Sequence, residues 1–378
     1  MKHYLLAPGP TPVPPRVLQA MAQPIIHHRT PEYEALFAEV RANLKALFQC
    51  RNEVLMFAAS GTGAMEGAVV NTLSPGDRVL VIRGGKFGER WAEICQVHGL
   101  QVTPINVPYG KSVDPAAVAA ALKADPGIQA VFATQSETST GAVHDIQALA
   151  ALTRTGHTIL VVDAITSLGV MDLPADAWGV DVVVTGSQKA LMLPPGLAFA
   201  AVSDKAWARV PQARLSRFYF DFAAERKAIQ GNQSAFTPAV SLVVGLRESL
   251  RMILEEGLPR VFTRHARLAR AAQAGVQALG LALFADHPGP ACTSVVAPEA
   301  IGGGAIVKGL ARRGITIAGG QGSMKGKIFR ISHMGYVADF DILTALGGLE
   351  MVLADLGHPV KFGEGVGAAL QALQKAQG

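Results

Sequence analysis

The sequence predicts an α/β protein, a largely parallel sheet covered by helices on both faces, with a smaller second domain after it. Three observations carry this. Short apolar runs of strand length alternate with Ala- and Leu-rich helical stretches through the first two thirds of the chain. Several of those runs are continuously apolar, as strands buried on both faces must be. Past residue 257 the pattern changes to one long Ala/Arg helix followed by short strands and Gly-rich turns. At ~150 residues per domain, a chain of 378 residues holds two. The expected division is an N-terminal extended arm (1–20), a large domain (21–256) and a small C-terminal α+β domain (257–378).

The arm is read from Pro8, Pro10, Pro12, Pro14 and Pro15, which oppose a helix there. Residues 31–48 place Tyr33, Leu36, Phe37, Val40, Leu44, Leu47 and Phe48 on one helical face. Val54–Phe57 reads as a strand, Gly63–Leu73 as a helix, Ser74-Pro75-Gly76-Asp77 as a turn and Val79–Ile82 as the next strand. Val102–Val107, Ala130–Ala133, Ile159–Val162, Val180–Val184 and Leu197–Val202 follow as strands, with Ala116–Lys123 and Ile146–Thr153 among the helices between them. Pro259–Leu279 is the long helix of the second domain.

Composition excludes several classes. Apolar residues make up 49% and charged residues 17%, the reverse of what disorder requires. A charged share this low implies surface covered by a partner, most simply a second copy of the chain. The longest uncharged apolar stretch, Leu191–Val202, is interrupted by Pro194-Pro195 and falls short of the ~20 residues of a membrane span. The apolar part of the N-terminus is too short for a signal peptide, so a cytoplasmic location is expected. Cys50, Cys95 and Cys292 are scattered, which opposes a disulfide framework, a cysteine-rich metal site or a nickel–iron or cluster centre. The net charge of +5 is spread along the chain. Arg264, Arg267 and Arg270 line one helix side without the interleaved aromatics of a nucleic-acid stripe. Neither nucleic acid nor membrane is expected as a partner.

Gly110-Lys111-Ser112 lacks the first glycine of a P-loop, because Ile105 stands in its place. No histidines have the spacing of a helical zinc pair, so no metal is expected. Ser60-Gly61-Thr62-Gly63 follows a strand and opens a helix, as a dinucleotide fingerprint does. The next strand ends at Arg83 instead of an acid, so only an NADP-type reading survives.

Two other segments carry more chemistry. Ile159–Asp163 ends an apolar strand on a carboxylate, and Val182–Lys189 ends the next strand on a small-residue turn and a lysine. The carboxyl ends of parallel strands face the ligand crevice. An apolar run follows Lys189, so its amine is expected to be desolvated and nucleophilic. With the Ser-Gly-Thr-Gly turn ready for a phosphate at a helix start, the set fits pyridoxal 5'-phosphate. That cofactor needs an amine for its aldehyde, a carboxylate for its ring nitrogen, a phosphate cradle and a ring cover. Phe87, in Gly84-Gly85-Lys86-Phe87-Gly88-Glu89-Arg90, supplies the cover.

An ordered set of motifs spans nearly the whole chain. Pro8-Gly9-Pro10-Thr11, Gly61-Thr62-Gly63-Ala64-Met65-Glu66 and Glu137-Thr138-Ser139-Thr140-Gly141 come first. Val162-Asp163-Ala164, Gly186-Ser187-Gln188-Lys189-Ala190, Leu246-Arg247-Glu248-Ser249 and Phe329-Arg330-Ile331-Ser332 follow. In this the chain resembles the class V pyridoxal phosphate aminotransferases, in the alanine–glyoxylate and serine–pyruvate (serine–glyoxylate) branch. The resemblance implies the fold type I architecture with a seven-stranded sheet, and a homodimer with shared active sites. It implies that Lys189 condenses with the cofactor and shuttles protons, that Asp163 pairs with the ring nitrogen and that Phe87 stacks on the ring. Ser60, Gly61, Thr62 and Gln188 would hold the phosphate, and Thr138 the ring hydroxyl. Thr237 would reach the phosphate of the neighbouring subunit. Arg330 would clamp the substrate carboxylate, with Gly9 beside it. Relatives carry a tyrosine three residues before that threonine, where this chain has Ser234.

The implied reaction is a ping-pong transamination from alanine or serine to glyoxylate or pyruvate. An acidic or phosphonate donor such as aspartate is the alternative, with Arg29 as the distal cation. A cysteine desulfurase-like lyase using Cys292, or an NADP-binding oxidoreductase, stands further off. Gln188 and Phe87 occupy the positions where desulfurases carry histidines.

Overall fold

The computed structural model describes residues 2–375, leaving Met1 and residues 376–378 outside. Seven strands form the main sheet: β1 (Val54–Phe57), β2 (Arg78–Arg83), β3 (Gln101–Asn106), β4 (Ile128–Thr134), β5 (Ile159–Asp163), β6 (Val182–Gly186) and β7 (Ala198–Val202). They are the seven runs expected from the sequence, in the order β1-β7-β6-β5-β4-β2-β3. All neighbours run parallel except β7, which is antiparallel to both β1 and β6. Their central residues are buried on both faces, which explains why the sequence shows continuous apolar runs. The exception is β3, an exposed edge strand that tolerates Pro104. The expected strand Val180–Val184 is shifted to Val182–Gly186. Asp181 turns its carboxylate onto the Leu160 amide at 2.9 Å, and strand pairing starts one residue later, at Val161 opposite Val182.

The strand order reverses beside β2. There β3 lies on one side and β4 returns on the other, which opens a crevice at the carboxyl ends of β2, β4, β5 and β6. The smaller sheet is antiparallel: β8 (Cys292–Val296), β9 (Ala318–Gly319) and β10 (Ile328–Ser332), with β10 central. Helices Leu258–Ala278, Gly303–Arg312, Asp339–Asp355 and Glu364–Lys375 surround it. Two hydrophobic cores result. One gathers residues between Val17 and Val261, the other Leu6 with residues between Leu268 and Leu373. Within the arginine row, Arg264 pairs with Glu256 and Arg267 with Asp339.

The arm departs from its expected form. It is extended only at its start, and Pro15 opens a helix that runs to Met21. A proline at the first helical position loses no hydrogen bond and brings the required φ, so proline content alone was a poor guide to the end of the arm. The extended part lies against its own chain. Tyr4 and Leu5 pair in parallel with Ile315 and Thr316, and the Ser332 amide donates to the Leu6 carbonyl at 2.7 Å. Leu6 is buried in the second core. Leu6→Ala should therefore cost about 2–5 kcal/mol in urea unfolding and make residues 2–12 the first site of protease cleavage. Unchanged stability with an uncut arm would contradict this packing.

Candidate active site

Each strand end delivers one part of the crevice. Strand β5 ends on Asp163, which lies in register with Thr134 of β4 on one side and Val184 of β6 on the other. The carboxylate is 2% exposed and accepts the Ile165 amide at 2.8 Å. Burial pushes its pKa up to about 7. Glu137 raises it further, while Lys189 and Arg90 oppose the rise. A carboxylate in this state is short of positive charge, and a cationic N–H placed against it would restore its ionised form.

Three residues past β6, Lys189 is 9% exposed. Its amine donates to the Pro8 carbonyl of the arm. Gly9 has φ +121°, and a methyl there would overlap the Lys189 side chain, so glycine is required both by backbone and by space. The Thr11 amide and hydroxyl bind the carbonyls of Gln188 and Lys189 at 3.2 and 2.7 Å. The arm is thus a wall of the lysine site. Burial lowers the Lys189 pKa to about 8.

Arg330 comes from the small domain, at the centre of β10, and is also buried. Its Nε and Nη2 donate to the Gly319 carbonyl at 3.0 and 2.8 Å, and its Nη1 donates to the Thr138 carbonyl at 2.7 Å. Three of the five guanidinium N–H groups are so occupied, leaving one on each terminal nitrogen, the pair that can fork onto a carboxylate. The charges of Arg330 and Lys189 act on each other.

The helix Gly61–Thr72 starts at the carboxyl end of β1, and its first turn points into the crevice region. The Gly63 amide is used by the Ser60 carbonyl at 2.8 Å. The amides of Gly61 and Thr62 have no acceptor among the described residues. A side chain on Gly61 would meet Ile165 Cδ1 at 2.5 Å, and one on Gly186 would come within 3.0 Å of Gln188 Oε1. That Oε1 is buried and unpartnered. Ser60 is exposed, and its hydroxyl makes no cap bond. Free amides, an orphaned carboxamide and a glycine-lined concavity beside a lone amine and a lone carboxylate fit a phosphate-bearing pyridine aldehyde.

Phe87 follows β2 in the first turn of the helix Lys86–Val97, half-buried. Glu137, a residue the sequence offered only as part of a motif, fixes this turn. Its buried carboxylate accepts the amides of Phe87, Gly88 and Ser139 at 3.1, 3.0 and 3.2 Å and the Ser139 hydroxyl at 2.5 Å. The cue was present as an acid two residues before a serine, but its target lies 50 residues away in the chain. Thr138 turns its hydroxyl to Thr166 at 2.5 Å.

Not every expected residue joins the crevice. Thr237 is exposed on the loop before the helix Val240–Glu256, in a pocket lined by Tyr219, Glu225, Ser234 and Phe236. Arg29 is exposed, and its side chain makes no hydrogen bond or ion pair among the described residues. Cys292 lies buried in β8 with its thiol 3.8 Å from the Thr138 carbonyl, and burial raises its pKa. It is a strand residue and not the mobile nucleophile that a desulfurase requires.

The lowered Lys189 pKa has a direct consequence. An ordinary lysine is charged below about pH 10.4, whereas this one becomes neutral above about pH 8. Acetic anhydride labelling of Lys189 in the cofactor-free protein, followed by peptide mass spectrometry, should level off near pH 8 while exposed lysines keep rising. A Lys189 profile that tracks theirs would contradict the desolvated site.

The model of the family described as aminotransferase class-V matches residues 3–341. The chain is 46% identical over 378 residues to the soluble hydrogenase 42 kDa subunit of Anabaena cylindrica, covering 98% of each. Among the described residues, no group of three or more His, Cys, Asp or Glu side chains is arranged to hold a metal ion. No helix there is long and apolar enough to cross a membrane. The chain is 42% identical over 374 residues to the L-aspartate–glyoxylate aminotransferase of Paracoccus denitrificans, covering 97% of this chain and 94% of that one. The crystal structure of the ureidoglycine–glyoxylate aminotransferase from Bacillus subtilis superposes with a TM-score of 0.93 at 30% identity, covering 99% and 98%. A buried lysine and carboxylate past adjacent strand ends, a buried arginine with two free N–H groups and a family match over most of the chain lead to one conclusion: the chain belongs to the class V aminotransferases and is a pyridoxal phosphate-dependent transaminase of fold type I.

Proposed function

We propose that the enzyme moves the amino group of a small amino acid, alanine or serine, to glyoxylate or pyruvate. The observation that carries this reading is the pair of free guanidinium N–H groups that buried Arg330 holds within reach of the Lys189 amine. One such fork matches one carboxylate, the feature shared by all four compounds.

When bound, pyridoxal phosphate supplies an aldehyde carbon that takes up amines and a ring that accepts electrons. The chain's residues do the rest. Arg330 orients the donor by its carboxylate. Lys189 would move the proton at the substrate α-carbon, a task suited to an amine with a pKa of about 8. Asp163 holds a proton at the ring nitrogen. Gly61, Thr62, Ser60 and Gln188 would hold the phosphate, Phe87 would cover the ring and Thr138 would lie by the ring hydroxyl, while Gly9 keeps the arm close to Lys189. The two half-reactions share one site, in ping-pong order.

Lys189→Ala should abolish turnover. Arg330→Lys should weaken every carboxylate substrate by at least ~1.5 kcal/mol, because a point charge cannot reproduce the fork. Steady-state kinetics on a panel of donors measures both, and full activity of Lys189→Ala would sink the assignment.

A homodimer with shared sites belongs to the same reading. Phe218 is 80% exposed and Tyr219 40%, and Tyr219 stacks on Phe236 beside Thr237 at 5.0 Å between ring centres. An exposed aromatic patch around the residue expected to serve a neighbour's phosphate supports a covered face there. Mixing Lys189→Ala with Thr237→Ala subunits should restore part of the activity, since each mixed dimer carries one intact site. No recovery despite demonstrated subunit exchange would count against sharing.

A second reading, an acidic donor such as aspartate, is favoured by the unpaired, exposed Arg29 and by the donor named for the Paracoccus relative. The donor panel with glyoxylate decides. Preference for alanine or serine supports the first reading. Preference for aspartate that falls in Arg29→Gln supports the second.

A further inference from the structure

We infer that Arg90 is a ligand of the cofactor phosphate, supplying the full positive charge that the expected cradle lacks; this rests on the reading of the crevice given above. A phosphate monoester carries a charge of about −1.5 to −2 near neutral pH. Against it a helix start offers roughly half a charge. Ser60, Gly61, Thr62 and Gln188 are all uncharged. The other nearby cations are engaged, Lys189 with the Pro8 carbonyl and Arg330 with two main-chain carbonyls.

Arg90 is placed differently. It lies one turn after Phe87 in the helix Lys86–Val97, and its Nη1 donates to the Thr62 hydroxyl at 3.2 Å. Its guanidinium carbon sits 4.8 Å from the centre of the Phe87 ring. No carboxylate pairs with it among the described residues, whereas its neighbours Lys86 and Glu89 pair with each other at 2.5 Å. A guanidinium stacked on an aromatic ring keeps its N–H donors in its own plane, free for an anion at its edge. One of those donors already reaches the first turn of the phosphate helix. Arg90 thus covers one face of Phe87. The stack and the Thr62 bond fix the guanidinium from two directions, so its ordering cost is met before the anion arrives. Its charge also acts on both Asp163 and Lys189, which puts it within electrostatic reach of the crevice.

The test compares two probes that differ only in the anion, pyridoxal phosphate and pyridoxal. Equilibrium binding of each to the cofactor-free protein is followed by absorbance. Arg90→Gln should weaken pyridoxal phosphate roughly 10- to 100-fold and leave pyridoxal within about twofold, the pattern of a lost charged hydrogen bond to phosphate. Equal weakening of both probes would show that Arg90 acts only through Phe87, and unchanged binding of both would remove it from the site; either result overturns the inference. Should Arg90→Gln fail to fold, Arg90→Lys decides. It keeps the charge but loses the fork, so a selective loss of roughly threefold or more is required, and an unchanged ratio overturns the inference. Wild-type protein that takes up no pyridoxal phosphate at Lys189 defeats the underlying reading instead, and does so before any variant is made.

Discussion

Burying an amine and a carboxylate side by side is costly unless each has a task, and most of the crevice follows from that constraint. Lys189 and Asp163 are both withdrawn from water, and burial drives them toward their neutral forms. A neutral amine is a nucleophile, and a carboxylate without a cation is a receptor for one. The fold sustains the arrangement because Asp163 ends one strand and Lys189 follows the end of its parallel neighbour. The arm then closes the space from the front, with Gly9 against the lysine and Thr11 bonded to its backbone. Remove the burial and both groups return to the ordinary charged forms of a surface lysine and a surface aspartate.

The site is assembled from three separated stretches of chain. Leu6 anchors the arm in the small domain's core, and two residues later Pro8 meets the lysine of the large domain. Arg330 crosses the other way, from the small sheet to the carbonyl of Thr138 in the large domain. Arg330 and Lys189 are thus both held by main-chain carbonyls, which do not titrate. Those carbonyls keep the Arg330 guanidinium oriented whatever the protonation state of Lys189.

Much of this was legible in the sequence. The seven strands announced themselves because parallel strands buried on both faces cannot be anything but apolar. Asp163 and Lys189 were legible because a charged residue at the end of such a run has nowhere to go except the crevice. The rest was hidden for physical reasons. Proline suits both an extended segment and a first helical turn, so the helix from Pro15 was missed. The pairing of Tyr4 with Ile315 joins residues at opposite ends of the chain and leaves no local pattern. Glu137 and Arg90 act on partners reached only through the fold, Phe87 and Thr62 respectively. Cys292 had an ambiguous loop-like context, and its place in a buried strand settled its character.

The helix Leu258–Ala278 enters at Val261 in the first core and continues through Leu268 and Val276 in the second. At ~1.5 Å per residue it is a stiff rod of about 30 Å shared by both bodies. Nothing in it serves as a joint: its one proline is in the first turn, and Gly275 lies well inside the second core. Swinging the small domain as a unit would mean bending that rod or tearing apolar side chains from one of two packed interiors. The two bodies are thereby held as one fixed chamber and not as a pair of jaws, and Arg330, steadied on the Gly319 carbonyl, keeps its place over the large domain through that rod.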